Sequence, residues 1–219
     1  MQNGAIRLFR FSGIQVYLHF TWFIVAAYQL TERSHNYSSS VWALYEYAAL
    51  FGMVLLHEFG HALACRQTGG FADRIILWPL GGIAFVNPPR RPGAMLWSIA
   101  AGPLVNVALV PVLSIALALT QRGGGIPETS DFCSLVWHVW QINLVLLIFN
   151  LLPVYPLDGG QILQALLWFP LGEIRSLQIA SVIGVIGSLA LAGLALLLRL
   201  NVVWTAIMAF FLLSRAIAG

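Results

Sequence analysis

Three side chains capable of metal binding and proton transfer lie within one short string of this 219-residue chain, His57-Glu58-Phe59-Gly60-His61. On an α-helix that turns about 100° per residue, the two histidines lie about 40° apart, and Glu58 lies on the same side of the helix. Two imidazoles one turn apart can bind one Zn²⁺, and a glutamate beside them can act as a general base on water at the metal. The spacing therefore predicts a hydrolytic zinc site with His57 and His61 as ligands and Glu58 as the base.

A catalytic zinc usually has three protein ligands and one open position, so the sequence should supply one more ligand. Asp158 is the candidate, because it is one of only three aspartates and lies between two apolar stretches. Pro153 and Pro156 precede it and interrupt a helix, and two glycines that follow it allow close backbone approach. Broken helices are tolerated at membrane depth where they line a site. We therefore expect Asp158 to complete the ligand set of one Zn²⁺ per chain.

The composition of the chain excludes an ordinary soluble protein. Hydrophobic residues make up 59% of the sequence and charged residues only 9%, whereas a typical soluble domain has about 25% charged residues. We expect an integral protein of the lipid bilayer, in which an ionisable residue within a helix is a functional candidate by default. The 11 basic residues are all arginines and are scattered along the chain, which argues against a nucleic-acid partner.

Apolar stretches of about 17–25 residues are long enough to cross a bilayer as helices. The sequence predicts six of them, over residues 14–30, 41–67, 94–120, 134–169 with a break at the two prolines, 177–198 and 202–213 with its flanks. A shorter apolar segment, residues 75–86, contains Pro79, Gly81 and Gly82 and cannot span. Its β-branched and aromatic residues favour a strand. The expected fold class is an all-α membrane protein of about six transmembrane helices with a short re-entrant β segment at the cytoplasmic face.

The placement of the arginines predicts the orientation of the chain in the membrane. If the N-terminus is cytoplasmic, eight arginines fall on the inside and only Arg33, Arg122 and Arg199 fall on the outside. This distribution favours two cytoplasmic termini. It also places the His57–His61 string in the cytoplasmic half of its helix.

Two further polar residues lie in apolar stretches away from this string. Glu46 lies in the outer half of the second stretch, too far along the helix to join the metal, and we expect a local partner for it near the outer surface. His138 lies near a helix end and is expected to be an interfacial side chain.

Both motifs together resemble the site-2 protease family of intramembrane zinc metalloproteases. The string His57-Glu58-x-x-His61 is followed by Asn150-x-x-Pro153-x-x-Pro156-Leu-Asp158-Gly159 in the order and at the spacing of that family, and Gly102-Pro103-x-x-Asn106 matches its pattern as well. The resemblance covers about residues 41–169. It implies that zinc is held by the two histidines and Asp158, with Glu58 as general base, inside the membrane and toward the cytoplasm.

The resemblance also carries expectations about the whole protein. Residues 1–219 are expected to form a single transmembrane metalloprotease domain with a catalytic core at about 41–169, without a PDZ insert or a nucleotide-sensing domain, as in prokaryotic members. The expected substrate is a single-span membrane protein that is cut within or near its transmembrane helix. Such a helix must unwind before cleavage, and an exposed edge of residues 74–87 is expected to bind it by strand addition. The alternative for that segment is a loop that anchors the helices.

Several alternatives remain open from the sequence. Asn106 and Asn150 are candidates to bind the substrate carbonyl or the transition-state oxyanion, or else to form interhelical hydrogen bonds. The two histidines and Asp158 would also suit a metal transit site in a transporter or channel. A third possibility is a non-catalytic protein that binds helices. Glu58 favours the protease, because a transit site has no need of a carboxylate that is not a ligand.

Overall fold

The structure is a computed structural model that describes residues 4–78, 81–122 and 130–197. Along these residues the elements are β1 (Ala5–Phe11), β2 (Ile14–His19), α1 (Thr21–Arg33), a 3-10 turn (Ser34–Asn36), α2 (Ser40–Gln67), β3 (Phe71–Trp78), β4 (Gly81–Asn87), α3 (Pro92–Arg122), α4 (Asp131–Leu151), α5 (Asp158–Leu171) and α6 (Glu173–Leu197).

Four helices of the described chain, α2, α3, α4 and α6, are long and apolar enough to cross a membrane. They match the predicted stretches 41–67, 94–120 and 177–198 and the first part of 134–169. The predicted break in that fourth stretch is confirmed, because α4 ends at Leu151 and α5 begins at Asp158. The sixth predicted stretch, 202–213, and Arg199 before it lie outside the described residues.

The predicted span over residues 14–30 is wrong. Its first part, Ile14–His19, is strand β2, and only the 13 residues of α1 are helical, which is shorter than the roughly 20 residues that a bilayer requires. Ile14 and Val16 are buried while Gln15 and Tyr17 are partly exposed, the alternation of a strand with one buried face. Ser12 and Gly13 both have positive φ, at 47° and 76°, as in the tight turns that join hairpin strands.

A four-stranded sheet of order β1-β2-β3-β4 packs beside α2. The two hairpin pairs are antiparallel, and β2 and β3 are parallel. The predicted strand character of residues 75–86 is confirmed where the structure describes them, but the fold is not all-α, because this segment is half of a larger mixed sheet. The buried face of the sheet contacts α2, with these residues in the common core: Ile14, Val16, Ala72, Ile75, Leu77, Val54, Ala62 and Cys65.

The sheet joins the strands on either side of helices α1 and α2. Strand β2 precedes α1, β3 follows α2, and Val16 pairs with Ile75, so the chain from β2 to β3 forms one loop that leaves the sheet and returns to it. Arg7 and Arg10 on β1 therefore belong to the same sheet as Arg74 on β3. This agrees with the sequence-based grouping of these three arginines on one side of the membrane.

Glycines set the close contacts that place the helices around α2. A Cβ added at Gly60 would lie 2.6 Å from the carbonyl oxygen of Ala101, so α2 and α3 approach backbone to backbone. At the α4–α5 break, a Cβ at Gly159 would lie 2.3 Å from the Leu151 oxygen, and a Cβ at Gly184 of α6 would lie 2.8 Å from the Tyr155 oxygen. The last two contacts hold the break compact and seat it against α6.

Candidate metal centre

The structure brings together the three side chains that the sequence predicts as ligands. His57 and His61 project from α2 and Asp158 from the start of α5, and their ligand atoms all lie within 4.8 Å of one another. The Asp158 Oδ2 atom is 3.0 Å from His57 Nε2 and 3.4 Å from His61 Nε2. The two Nε2 atoms are 3.1 Å apart. Both histidines are buried, and Asp158 is nearly so.

Local sequence explains why Asp158 points at α2. It occupies the first turn of α5, where a carboxylate interacts favourably with the positive end of the helix dipole. Pro153 and Pro156 prevent α4 from continuing through this region. Gly160 lets the new helix start against the turn, since a Cβ there would lie 2.4 Å from the Tyr155 nitrogen.

Hydrogen bonds on the far side of each imidazole fix which ring nitrogen carries hydrogen. His61 Nδ1 lies 2.9 Å from the main-chain oxygen of Ser98, which can only accept, so Nδ1 is the donor. His57 Nδ1 lies 2.7 Å from Oδ1 of Asn106. With Nδ1 protonated on each neutral ring, both Nε2 atoms keep a free lone pair directed toward Asp158.

Gly102 leaves a space beside these lone pairs. A Cβ added there would lie 2.2 Å from His61 Nε2 and 2.8 Å from His57 Nε2, so any other residue type would fill the position that both nitrogens face. Two imidazole nitrogens and one carboxylate oxygen form a typical set of ligands for catalytic zinc. The residues present therefore fit a zinc ion bound between α2, α3 and α5.

Glu58 lies next to this group without belonging to it. It is 5% exposed, and its Oε2 accepts a hydrogen bond of 2.9 Å from the main-chain nitrogen of Ala84 on β4. The sheet thus holds the carboxylate beside the two histidines. A buried carboxylate beside a candidate metal centre, but outside the predicted ligand set, is typical of a proton-transfer group, and that role for Glu58 stays a prediction.

The two candidate asparagines have different surroundings. Asn106 is fully buried on α3, with Oδ1 facing His57 and Nδ2 donating to Asn143 Oδ1 at 2.9 Å. Asn150 is partly buried in the last turn of α4. An oxyanion or substrate role stays a prediction for both. Asn143 was not among the predicted site residues, although a polar residue inside an apolar helix is a signal that could have marked it.

Known proteins resemble this chain in sequence and in fold. It matches peptidase family M50 over residues 45–128 and 120–194. A zinc metalloprotease of Methanocaldococcus jannaschii is 36% identical over 92% of the chain and 56% of that protein. Stage IV sporulation protein FB of Bacillus subtilis is 31% identical over 51% of the chain and 36% of that protein. The chain thus spans little more than half the length, or less, of these curated relatives.

The solved structure of a site-2 protease from Methanocaldococcus jannaschii superposes with a TM-score of 0.66 at 30% identity, covering 97% of this chain and 93% of the other. The match therefore extends over nearly the whole chain. The relatives give no support to the alternative of a metal transporter.

Proposed function

The chain belongs to peptidase family M50, and on that premise we propose that it is an intramembrane zinc endopeptidase. It hydrolyses a peptide bond within or near a transmembrane helix of a membrane-protein substrate. The observation that carries the proposal is the convergence of His57 Nε2, His61 Nε2 and the Asp158 carboxylate on one buried point, next to a carboxylate, Glu58, that the sheet holds separately.

Each residue of the centre has a distinct role in this proposal. His57, His61 and Asp158 hold one zinc ion per chain, and the ion, when bound, polarises the scissile carbonyl and activates water. Glu58 takes a proton from the attacking water and later delivers it to the leaving amine nitrogen. The Ala84 main-chain N–H, 2.9 Å from Glu58 Oε2, fixes the orientation of this carboxylate.

Strand β4 is the part of the fold that suits an unwound substrate. Among the residues that the structure describes, it is an edge strand of the sheet, and its Ala84 N–H points to Glu58 and not to β3. The main-chain N–H and C=O groups of successive residues in a strand point in alternating directions. Those of Gly82 and Val86 therefore also point to the open edge, while those of Ile83 and Phe85 point to β3. A single-span substrate, whose helical backbone is otherwise paired internally, can bind this edge as an added strand beside Glu58.

Separating the base from the ligands tests the proposed function. Glu58→Gln should keep about one zinc per chain and abolish cleavage, whereas His61→Ala should lose both. The measurement is co-expression with a panel of single-span membrane proteins, scored for shortened products, together with the zinc content of the purified protein. Cleavage by Glu58→Gln at near wild-type rate would overturn the role of Glu58 as the base. A wild-type chain that binds zinc and cleaves no substrate would instead favour a non-catalytic, helix-binding protein.

The proposed location is a prokaryotic cell membrane, with both termini and the metal centre toward the cytoplasm. Arg7 and Arg10 on β1 lie in one sheet with Arg74 on β3, and such a concentration of arginine is typical of the cytoplasmic side. The relatives are from an archaeon and a bacterium. In a variant with Cys65 and Cys133 replaced by alanine, a thiol reagent added outside intact cells should label a cysteine at Ser39 and not one at Gly93. Labelling in the opposite sense would reverse the topology.

A further inference from the structure

Asn143, on α4, is linked to the metal ligand His57 through one intervening side chain. Asn143 Nδ2 donates to the main-chain oxygen of Asn106 at 3.0 Å, and Asn106 Nδ2 donates to Asn143 Oδ1 at 2.9 Å. Asn106 Oδ1 in turn faces His57 Nδ1 at 2.7 Å. Both asparagines are 0% exposed. A buried chain of hydrogen bonds therefore runs from α4 through α3 to the ligand on α2.

The donor and the acceptor of every hydrogen bond in this series follow from the first bond, between Asn143 and the Asn106 main-chain oxygen. The main-chain oxygen of Asn106 can only accept, so the end of the Asn143 amide that faces it must be the NH₂ group. The other end of Asn143 is then an oxygen, which requires the NH₂ group of Asn106 opposite it. The remaining end of Asn106 is also an oxygen, so His57 Nδ1 must carry the hydrogen of the neutral ring, and the lone pair lies on Nε2.

We propose that Asn143 is a positioning residue for the metal centre. By fixing the orientation of the Asn106 amide, it holds His57 in the one neutral tautomer whose Nε2 atom can bind zinc. The proposal rests on the metal site of the proposed function. The two histidines differ in this respect, since His61 takes its tautomer directly from the Ser98 main-chain oxygen at 2.9 Å, and a main-chain carbonyl cannot turn round.

Without Asn143, the Asn106 amide can rotate by half a turn at little steric cost, because its two ends have nearly the same shape. It then presents NH₂ to His57 Nδ1, which must accept, and the ring hydrogen moves to Nε2. That tautomer has no lone pair at the metal-facing nitrogen. Loss of such an outer partner of a metal ligand typically lowers metal affinity about 10–100-fold.

The first test replaces Asn143 with a residue of similar size that makes no hydrogen bonds. Asn143→Leu should weaken zinc binding about 10–100-fold, measured with zinc alone by competition against a chromogenic chelator on the purified chain. The matched control is Ser114→Ala, which removes another α3–α4 hydrogen bond, from Trp140 Nε1 to Ser114 Oγ at 3.0 Å. The control should lower thermal stability and leave zinc affinity within about twofold of wild type, since Ser114 lies about 12 Å along α3 from Asn106.

A second substitution distinguishes positioning from packing. Asn106→Asp supplies only acceptor oxygens to His57 Nδ1, so no orientation of it is wrong. Added to Asn143→Leu, it should restore most of the zinc affinity although it restores no contact with α4. If Asn143→Leu does not fold, Asn143→Ser serves instead, because a rotating hydroxyl cannot fix the direction of the Asn106 amide.

The outcomes separate this proposal from the proposed function. Zinc affinity that stays within about twofold of wild type in the Asn143 variant, or that Asn106→Asp does not restore, makes Asn143 a packing residue and overturns the proposal. A wild-type chain that binds zinc normally and cleaves no substrate overturns the proposed function alone. A wild-type chain that binds no zinc overturns both.

Discussion

Helix α2 carries two buried polar clusters, and only one of them has the arrangement of a reactive site. The metal centre lies around His57 and His61. Three turns nearer the helix start lies what we term the Glu46 cluster, which consists of Arg33, Tyr37, Glu46 and His138. In it the Tyr37 hydroxyl donates to Glu46 Oε2 at 2.6 Å and lies 2.8 Å from His138 Nδ1. Arg33 Nε lies 3.4 Å from Glu46 Oε1.

The two clusters differ in how hydrogen-bond donors and acceptors are arranged. In the Glu46 cluster, donors surround one carboxylate, so its charge is satisfied within the protein. In the metal centre, Ser98 and Asn106 take up the hydrogens on the far side of the imidazoles, and acceptor atoms are left facing one another around Gly102. The comparison teaches that a buried ionisable residue in a membrane helix does not by itself mark a reactive site. A group of hydrogen-bond acceptors that face one another with no donor between them is a better mark of such a site.

The largest effect on zinc binding is expected from filling the space at the metal centre. Gly102→Ala places a methyl group 2.2 Å from His61 Nε2, so the imidazoles must move apart and the ligand geometry is lost. We expect zinc affinity to fall by about 100-fold or more and cleavage to fall with it. Chelator competition measures the first and product formation the second. Zinc binding at wild-type strength would show that the space beside Gly102 is not where the ion sits.

Removing the charge of the Glu46 cluster should lower the stability of the protein and leave zinc binding unchanged. Glu46→Gln keeps the shape of the side chain and removes the charge that Arg33 and Tyr37 surround. We expect the free energy of unfolding to fall by about 1–3 kcal/mol, measured by thermal or denaturant unfolding in detergent, with zinc affinity unchanged. A tenfold loss of zinc affinity would contradict the independence of the two clusters.

The smallest expected effect concerns the Tyr37 phenol. Burial, followed by the hydrogen bond to Glu46, raises the pKa of Tyr37 above its usual value of about 10. The folded state therefore binds the phenolic proton more tightly than the unfolded state, and this contribution to stability is fully present below about pH 10 and is lost as the pH rises further.

Tyr37→Phe removes that pH dependence. We expect it to lower the free energy of unfolding by about 0.5–1.5 kcal/mol at neutral pH and to flatten the loss of stability between pH 9 and pH 11, as measured by denaturant unfolding. A variant that loses alkaline stability as steeply as the wild type would assign that loss to another group.

Local patterns were enough to predict which side chains meet at the candidate metal centre. His57, Glu58 and His61 lie within five residues, and helical geometry alone puts them on one side. Asp158 could be assigned because few carboxylates were available and because prolines mark the break before it. The local partners expected for Glu46 are present, and His138, expected at an interface, is one of them.

Long-range pairing could not be predicted in the same way. Residues 14–30 have the hydropathy and length of a transmembrane span. The signals that argue against one helix there are the alternation of burial in Ile14–His19 and the turn at Ser12 and Gly13. That β2 pairs with β3 depends on contacts between residues more than fifty positions apart. Asn143 is marked locally only as a polar residue in an apolar helix, and its partners depend on α3 and α4 lying side by side.

The parallel pairing of β2 with β3 has a consequence for how the protein is made. The N-terminal hairpin leaves the ribosome first, but the edge of β2 that will receive β3 stays open until the chain has reached residue 78. At a synthesis rate of about 5–20 residues per second, the roughly 60 residues from the end of β2 to the end of β3 take about 3–12 s. An open strand edge is a template for wrong pairing during that time. The hairpin must keep that edge unpaired while α1 and α2 are made, and the arrival of β3 then closes the edge.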